Sequence, residues 1–457
     1  MYKCYIRSIL DYACYVYYPS ISTLQLKLER IQYAAIRLCL GYRQSTPTNI
    51  LLAESKLPSL RERAHFLGKS YIAKILSNRS SETRDLLLNF YNSQSNNSNK
   101  TLSQCIFSLL NSNIAIFSNK NFNVYCNSFK SLSHPISINL TIGQDAINSP
   151  NPNHVIDELI NSNHLTPIYT DGSKITGAPS VGCAFLCPAD DHHRTRSPSP
   201  LASIFSAECY AIRDALDYII EGNDNRSYVI LSDSLSVLSC LDSRRLNVKT
   251  NHVIFEILEK HLSLLQRNCS VRFAWIPSHI GIRGNEAVDA LARAATCFDS
   301  ADHPPVAFSD LAQTFRRDCR AGSTSDCEND GRSKGKTYFV LYHHRNSASP
   351  WYSNRGLTRA FIVTINRTRS NHHSLGESLH RKNIISDPGC ACGFPEESLN
   401  HILWRCEDYN QPRSILIKDL AGLGIPAPFN IESLIAGPNI TACKAVFAFL
   451  TRCRITI

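Results

Sequence analysis

The sequence predicts an α/β fold. A mixed sheet flanked by helices is expected over residues 163–298, between an N-terminal helical segment and a small C-terminal Cys/His module. Three observations predict it. Apolar runs of strand length (TPIYTDG, GCAFLC, YVILSD, VRFAWIP) recur from Thr166 onward, bounded by turn residues. Segments of helical period alternate with the later runs: FSAECYAIRDALDYII, NHVIFEILEKHLSLLQ and NEAVDALARAAT. Cysteine and histidine then gather in GCACGFPEESLNHILWRC. Hairpin-like strands followed by helices alternating with strands suit a mixed sheet with helices on its faces.

The remaining elements follow in chain order. Residues 1–80 read as helical. In LKLERIQYAAIRLCL, Leu28, Ile31, Ala35, Leu38 and Cys39 recur at steps of three and four and predict one apolar face, with Arg30 and Arg37 off it. A second helix is expected from Leu60 to Leu76. Residues 81–162 include NSQSNNSNK and SNKNFN, Asn- and Ser-rich stretches that predict a linker with short isolated elements. Residues 299–370 predict a loop-rich connector. Residues 371–457 hold a short helix near Leu375–Arg381, the Cys/His cluster and an apolar end.

Composition bounds the function. At 457 residues, with 43% hydrophobic and 19% charged residues, the chain is long enough for two or three cored domains. A formal charge of +10 favours a polyanionic partner. Eighteen cysteines scattered through so long a chain suit reduced thiols, hence an intracellular protein of nucleus or cytoplasm, not a secreted one. No signal peptide is visible in MYKCYIRSILDYACYVYYPS, and no run of 18 apolar residues predicts a membrane span.

Four carboxylates stand where chemistry is expected. Asp171 closes a strand, although Asp-Gly is equally a turn signal. Glu208 lines up with Ile212, Leu216 and Ile219 on an apolar helix face, where a lone buried charge needs a cation; the other reading is a frayed, exposed first turn, where Glu is welcome. Asp233 follows YVILS, a run that suits a central strand covered on both faces; the other reading is a helix N-cap. Asp289 borders the apolar stripe Val288, Leu291, Ala292, Ala295. If these carboxylates converge, their repulsion calls for divalent cations, and oxygen-only ligands suit magnesium or manganese.

YTDGSK, SAECYAIRDAL, ILSDS and WIPSHIGIRGNEAVDALA, in this order, resemble the motifs of the type 1 ribonuclease H family. The resemblance implies a five-stranded mixed sheet and cleavage of the RNA strand of RNA–DNA hybrids. It implies two Mg2+ (or Mn2+) ions held by Asp171, Glu208, Asp233 and Asp289. His279 would be the loop histidine that assists proton transfer and product release. Asn285 and Glu286 would contact substrate, as would Gly172 and Ser173. The stretch PADDHHRTRSPSP reads as a loop, and RRLNVK is a poor substitute for the family's basic, Trp-rich handle helix.

Cys390, Cys392, His401 and Cys406 offer three thiols and an imidazole, a set that can close a zinc site; a group of buried or incidental thiols is the other reading. The segment resembles the C-terminal Cys/His motif of non-LTR retrotransposon polyproteins of the jockey-like and R1-like kind. INRTRSNHHSL resembles its lead-in, with Asn371 where Gly is expected. IRSILDYACYVYYPSI, KLERIQYAAIRLCLGY and STPTNILLAESKLPSLRERA resemble the segment after the reverse transcriptase palm. The resemblance implies the C-terminal portion of such a polyprotein, associated with reverse transcriptase. The sole methionine, Met1, suits a gene fragment. A catalytically silent nucleic-acid-binding remnant is the alternative function.

Overall fold

A computed structural model describes residues 2–78, 81–93, 100–112, 114–116, 129–222, 226–243, 246, 250–298, 303–344, 347–436 and 439–457. SNKNFN lies outside these residues, as do most of NSQSNNSNK and RRLNVK. The chain forms two compact units, one of Met1–Leu67, Asn99–Leu102 and Arg317–Ile457, the other of Gly68–Ser98 and Ser103–Arg316. No helix among the described residues is long and apolar enough to cross a membrane.

The second unit is built on a sheet of β1 (Ser137–Asn139), β2 (Thr166–Ser173), β3 (Gly182–Cys187), β4 (His192–Arg196), β5 (Tyr228–Ser232) and β6 (Val271–Trp275), in the order β1-β6-β5-β2-β3-β4. Pairs β1·β6, β6·β5 and β5·β2 are parallel, and β2·β3 and β3·β4 antiparallel. The predicted mixed α/β sheet is present, with six strands and not five. β1 lies inside the expected linker, and β4 inside the stretch read as a loop.

Its helices are α1 (Ile142–Asn148), α2 (Pro152–Ser162), α3 (Ile204–Gly222), α4 (Leu235–Ser243), α5 (His252–Gln266) and α6 (Arg283–Ala295). Successive strand residues point to opposite faces. Ile168, Ile230 and Phe273 therefore pack with residues of α3, α4 and α5, such as Ile212, Leu238 and Ile257. Their neighbours Tyr169, Leu231 and Ala274 pack with Ile156 of α2 and Val288 and Ala292 of α6. All five residues of β5 are buried, as a parallel strand covered on both faces requires.

The expected linker also carries helices at Glu82–Ser93 and Thr101–Leu110, besides α1 and α2. The expected loop-rich connector holds a 24-residue helix, Phe308–Gly331, and a 12-residue helix, Arg359–Ser370.

The first unit is helical. Its largest core gathers Ile50, Trp351, Phe361, Ile365, Ile402 and Phe449, among others. Arg369 is buried there and donates to Glu54 Oε1 at 2.5 Å and to the carbonyls of Ile435 and Tyr342. The helix Ser22–Leu40 corrects the predicted face. Glu29, Gln32, Ala35 and Ile36 are its buried residues, while Ile31, Leu38 and Cys39 are exposed. Polar partners account for the rotation: Tyr2 Oη and Arg7 donate to Gln32 Oε1, and the Leu60 amide donates to Glu29.

Candidate active site

β2 is approached by the starts of α3, at Gly172, and of α6, at Tyr169. Asp171 lies within β2, not in a turn: Gly172 and Ser173 continue the ladder opposite Cys183 and Gly182 of β3. The turn reading of Asp-Gly is thereby excluded. A Cβ on Gly172 would meet the Glu208 backbone nitrogen at 2.8 Å and the Ala207 Cβ at 3.0 Å, so glycine lets α3 approach β2.

α3 is pinned at its start by a residue the sequence did not flag. The buried carboxylate of Asp310 accepts from the Ser203 amide at 3.0 Å, Ser203 Oγ at 2.9 Å and Ser206 Oγ at 2.6 Å. Asn251 Nδ2 also donates to Ser206 Oγ at 2.6 Å. An anion at a helix N-terminus suits the helix dipole. Glu208 follows on the next turn, 6% exposed, and its Oε2 has no hydrogen-bond partner.

Asp233 follows β5. Its carbonyl accepts from Trp275 Nε1 at 3.1 Å, and its carboxylate is hydrogen-bonded by the Asn285 side chain. Asn285 itself is 3% exposed, and its Oδ1 is unpartnered. Carboxylate oxygens of Asp171, Glu208 and Asp233 all lie within 4.8 Å of one another.

Such crowding disfavours ionisation. Burial, then the charges of Asp233 and Asp289, push Asp171 up to about 8. Burial, then Asp171 and Asp233, push Glu208 well above the usual carboxylate range. Burial also raises Asp233, against the Asn285 hydrogen bond, with the Asp289 charge adding to the rise and His279 opposing it.

The fourth predicted carboxylate stands apart from the other three. Asp289 pairs with Arg293 of the same helix at 2.9 Å and groups with His279 and Glu286, all three ligand atoms within 4.8 Å. Its charge nevertheless acts on Asp171 and Asp233. α6 is seated close to β2 by Gly284, whose Cβ would overlap the Tyr169 ring at 2.3 Å.

His279 is exposed at a left-handed φ of 57° in the loop between β6 and α6. A second unforeseen residue braces that loop. Asn153 of α2 donates to the Gly281 carbonyl at 2.8 Å and accepts from the Arg283 amide at 3.0 Å. No local pattern in the sequence marks Asn153 or Asp310, because their partners lie more than 100 residues away.

The donor set fits hard divalent cations. Three converging carboxylates supply only oxygen ligands, and the Glu208 oxygen has nothing else to bond.

The Cys/His cluster lies in the other unit. Cys390, Cys392, His401 and Cys406 bring one ligand atom each within 4.8 Å of the rest. Cys390–Gly393 forms a tight turn, Gly393 at φ 87°, closed by the Gly393 amide on the Cys390 carbonyl at 2.9 Å. Ser398 caps the helix that presents His401. The Cys390 and Cys406 sulfurs are 3.9 Å apart, too far for a disulfide and close to the roughly 3.8 Å edge of a tetrahedron with 2.3 Å zinc–sulfur arms. Cys392 Sγ and His401 Nε2 are 3.3 Å apart. The geometry fits zinc, and Cys-x-Cys spacing does not prevent convergence.

Residues 163–297 match the RNase H family model. No curated protein matches the chain. The match covers β2–β6 and takes in Asp171, Glu208, Asp233, His279, Glu286 and Asp289. At the level of the family the match supports a ribonuclease H domain over this stretch, a family of nucleic-acid hydrolases.

Proposed function

We propose that the domain cleaves the RNA strand of RNA–DNA hybrids by a two-metal route, leaving a 3′-hydroxyl and a 5′-phosphate. The observation that carries this reading is the convergence of Asp171, Glu208 and Asp233 within 4.8 Å, with a Glu208 oxygen left unpartnered. A purely structural role would have given that buried Glu208 oxygen a hydrogen-bond donor or a cation. Asp171, Glu208 and Asp233 would hold the divalent ions, whose chemistry there would be activation of water and stabilisation of the leaving oxygen.

The chain's own residues then divide the remaining work. Asp171, Glu208 and Asp233 form the fixed side of the metal site. Asp289, paired with Arg293 and close enough for its charge to act on Asp171 and Asp233, would complete the ligand set. Asn285 holds the Asp233 carboxylate in place. His279, raised on an exposed loop, exchanges a proton with the scissile phosphate region and leaves with product. Gly172 and Ser173, with Asn285 and Glu286, line the groove where the RNA 2′-hydroxyl is read.

The wider context is part of the proposal. The flanking resemblances favour a retrotransposon-derived protein working beside a reverse transcriptase. A zinc ion at Cys390, Cys392, His401 and Cys406 would brace the C-terminal helices. The silent-remnant reading is disfavoured by the buried, unpartnered Glu208 oxygen among converging carboxylates, an arrangement that costs stability unless cations fill it. A hybrid labelled on either strand tests the reaction. The full chain with magnesium is expected to cut only RNA, with 3′-hydroxyl ends; cutting of the DNA strand, or of neither, overturns it.

A further inference from the structure

In the unit formed by Met1–Leu67, Asn99–Leu102 and Arg317–Ile457, the turn at Arg43–Ser45 lies against residues 371–382. Five basic side chains gather there, and most of their hydrogen bonds go to neutral oxygens. Arg43 donates to Ser374 Oγ, Lys382 to Ser378 Oγ, and Arg381 to the Asn371 carbonyl. His372 Nδ1 is 3.0 Å from Ser45 Oγ. Among the described residues, Glu377 is the carboxylate bonded to the group, through Arg381 at 2.6 Å.

His373 is the decisive member. It is 1% exposed, and neither ring nitrogen has a hydrogen-bond partner. A buried imidazole without partners is costly, as is the buried Arg43 Nε, which is also unpartnered and whose charge acts on His373. The local field is positive. Burial, then Lys382 and Arg381, push His372 and His373 down to about 3, and burial, then Arg381, pushes Lys382 down to about 8. His373 therefore stays neutral and keeps one N–H to donate.

We infer that Arg43, His372, His373, Arg381 and Lys382 form a phosphate-binding site. An oxyanion would accept from the free guanidinium and ammonium hydrogens, from the orphaned Arg43 Nε and from a His373 N–H, and its charge would offset the crowded cations. Phosphate suits the donors better than carboxylate, because they outnumber the lone pairs two oxygens can offer. Arg381 is exposed and Lys382 half-buried, so the anion enters over them. The same chemistry is offered by a nucleic-acid phosphodiester and by a free phosphate group. The site is independent of the carboxylate centre.

The test uses the full chain in EDTA, so that no ion bridges phosphate to the carboxylates. Inorganic phosphate is titrated by calorimetry into wild type, Arg381→Gln/Lys382→Gln, and a control of equal charge change on exposed residues, Lys418→Gln/Lys444→Gln. Wild type and control are expected to bind, and the double variant to bind at least about tenfold more weakly. If the double variant has lost its wild-type melting transition, Arg381→Gln alone takes its place. A short single-stranded RNA that competes with phosphate assigns the site to a nucleic-acid backbone; a bound phosphate that RNA does not displace assigns it to a free anion. Absence of phosphate binding to wild type, or equal weakening in variant and control, overturns the site.

Discussion

The Glu208 backbone nitrogen lies 2.8 Å from the position a Cβ on Gly172 would occupy. One hydrogen atom at residue 172 thus sets how closely α3 approaches β2, and with it the gap between Glu208 and Asp171. Gly172→Ala is expected to push the helix outward and lower the rate of hybrid cleavage about 100-fold, with the fold retained. Single-turnover kinetics, alongside circular dichroism, measure this. An unchanged rate would show that the approach is not what sets the carboxylate gap.

The carboxylate cluster is a local source of instability that cations relieve. Asp171→Asn removes a carboxyl that is ionised in the unfolded chain and that folding must protonate or crowd against its neighbours, so in EDTA near neutral pH it should stabilise the protein by about 1–2 kcal/mol while abolishing activity. Magnesium should raise the melting temperature of the wild type and much less that of the variant. Equal magnesium shifts in both proteins would count against a metal at this position.

Asn153 lies outside the stretch that matches the family, yet its side-chain amide ties the backbone at Gly281 and Arg283 on one side of His279. Asn153→Ala frees the loop. The expected result is a fall in kcat of about tenfold, KM staying near its wild-type value. A rise in KM with kcat unchanged would instead place Asn153 in substrate binding.

These relationships mark what the sequence could and could not disclose. Each of the four carboxylates was a weak signal alone, at a strand end, on a helix face or beside an apolar stripe, and their ordered resemblance to one family's motifs is what singled them out. The central strands were legible as apolar runs. The edge strands β1 and β4 were not, since SIN and HHRTR carry no apolar run; an edge strand has one open side and tolerates polar residues. The face of Ser22–Leu40 was misread because Glu29 and Gln32 are buried with partners that only the folded chain supplies. Asn153 and Asp310 act over long sequence distances and leave no periodic trace.

At the Cys/His cluster, the sulfur spacing leads to a stoichiometry. The purified chain should carry about one zinc ion, and Cys406→Ser should lose it and lower the melting temperature on the order of 5 °C. Metal analysis and a thermal melt decide it. Zinc-free protein with the wild-type melt would return these cysteines to ordinary thiols.

The central claim, that the converging carboxylates make a hydrolase and not a silent binder, is tested most directly by one comparison. Full-length wild type and Asp233→Asn are incubated with an RNA-labelled hybrid in magnesium, and hybrid binding is measured on the same samples in EDTA. The account predicts magnesium-dependent RNA cutting by wild type only, with hybrid bound by both. Hybrid bound by both and cut by neither would contradict it.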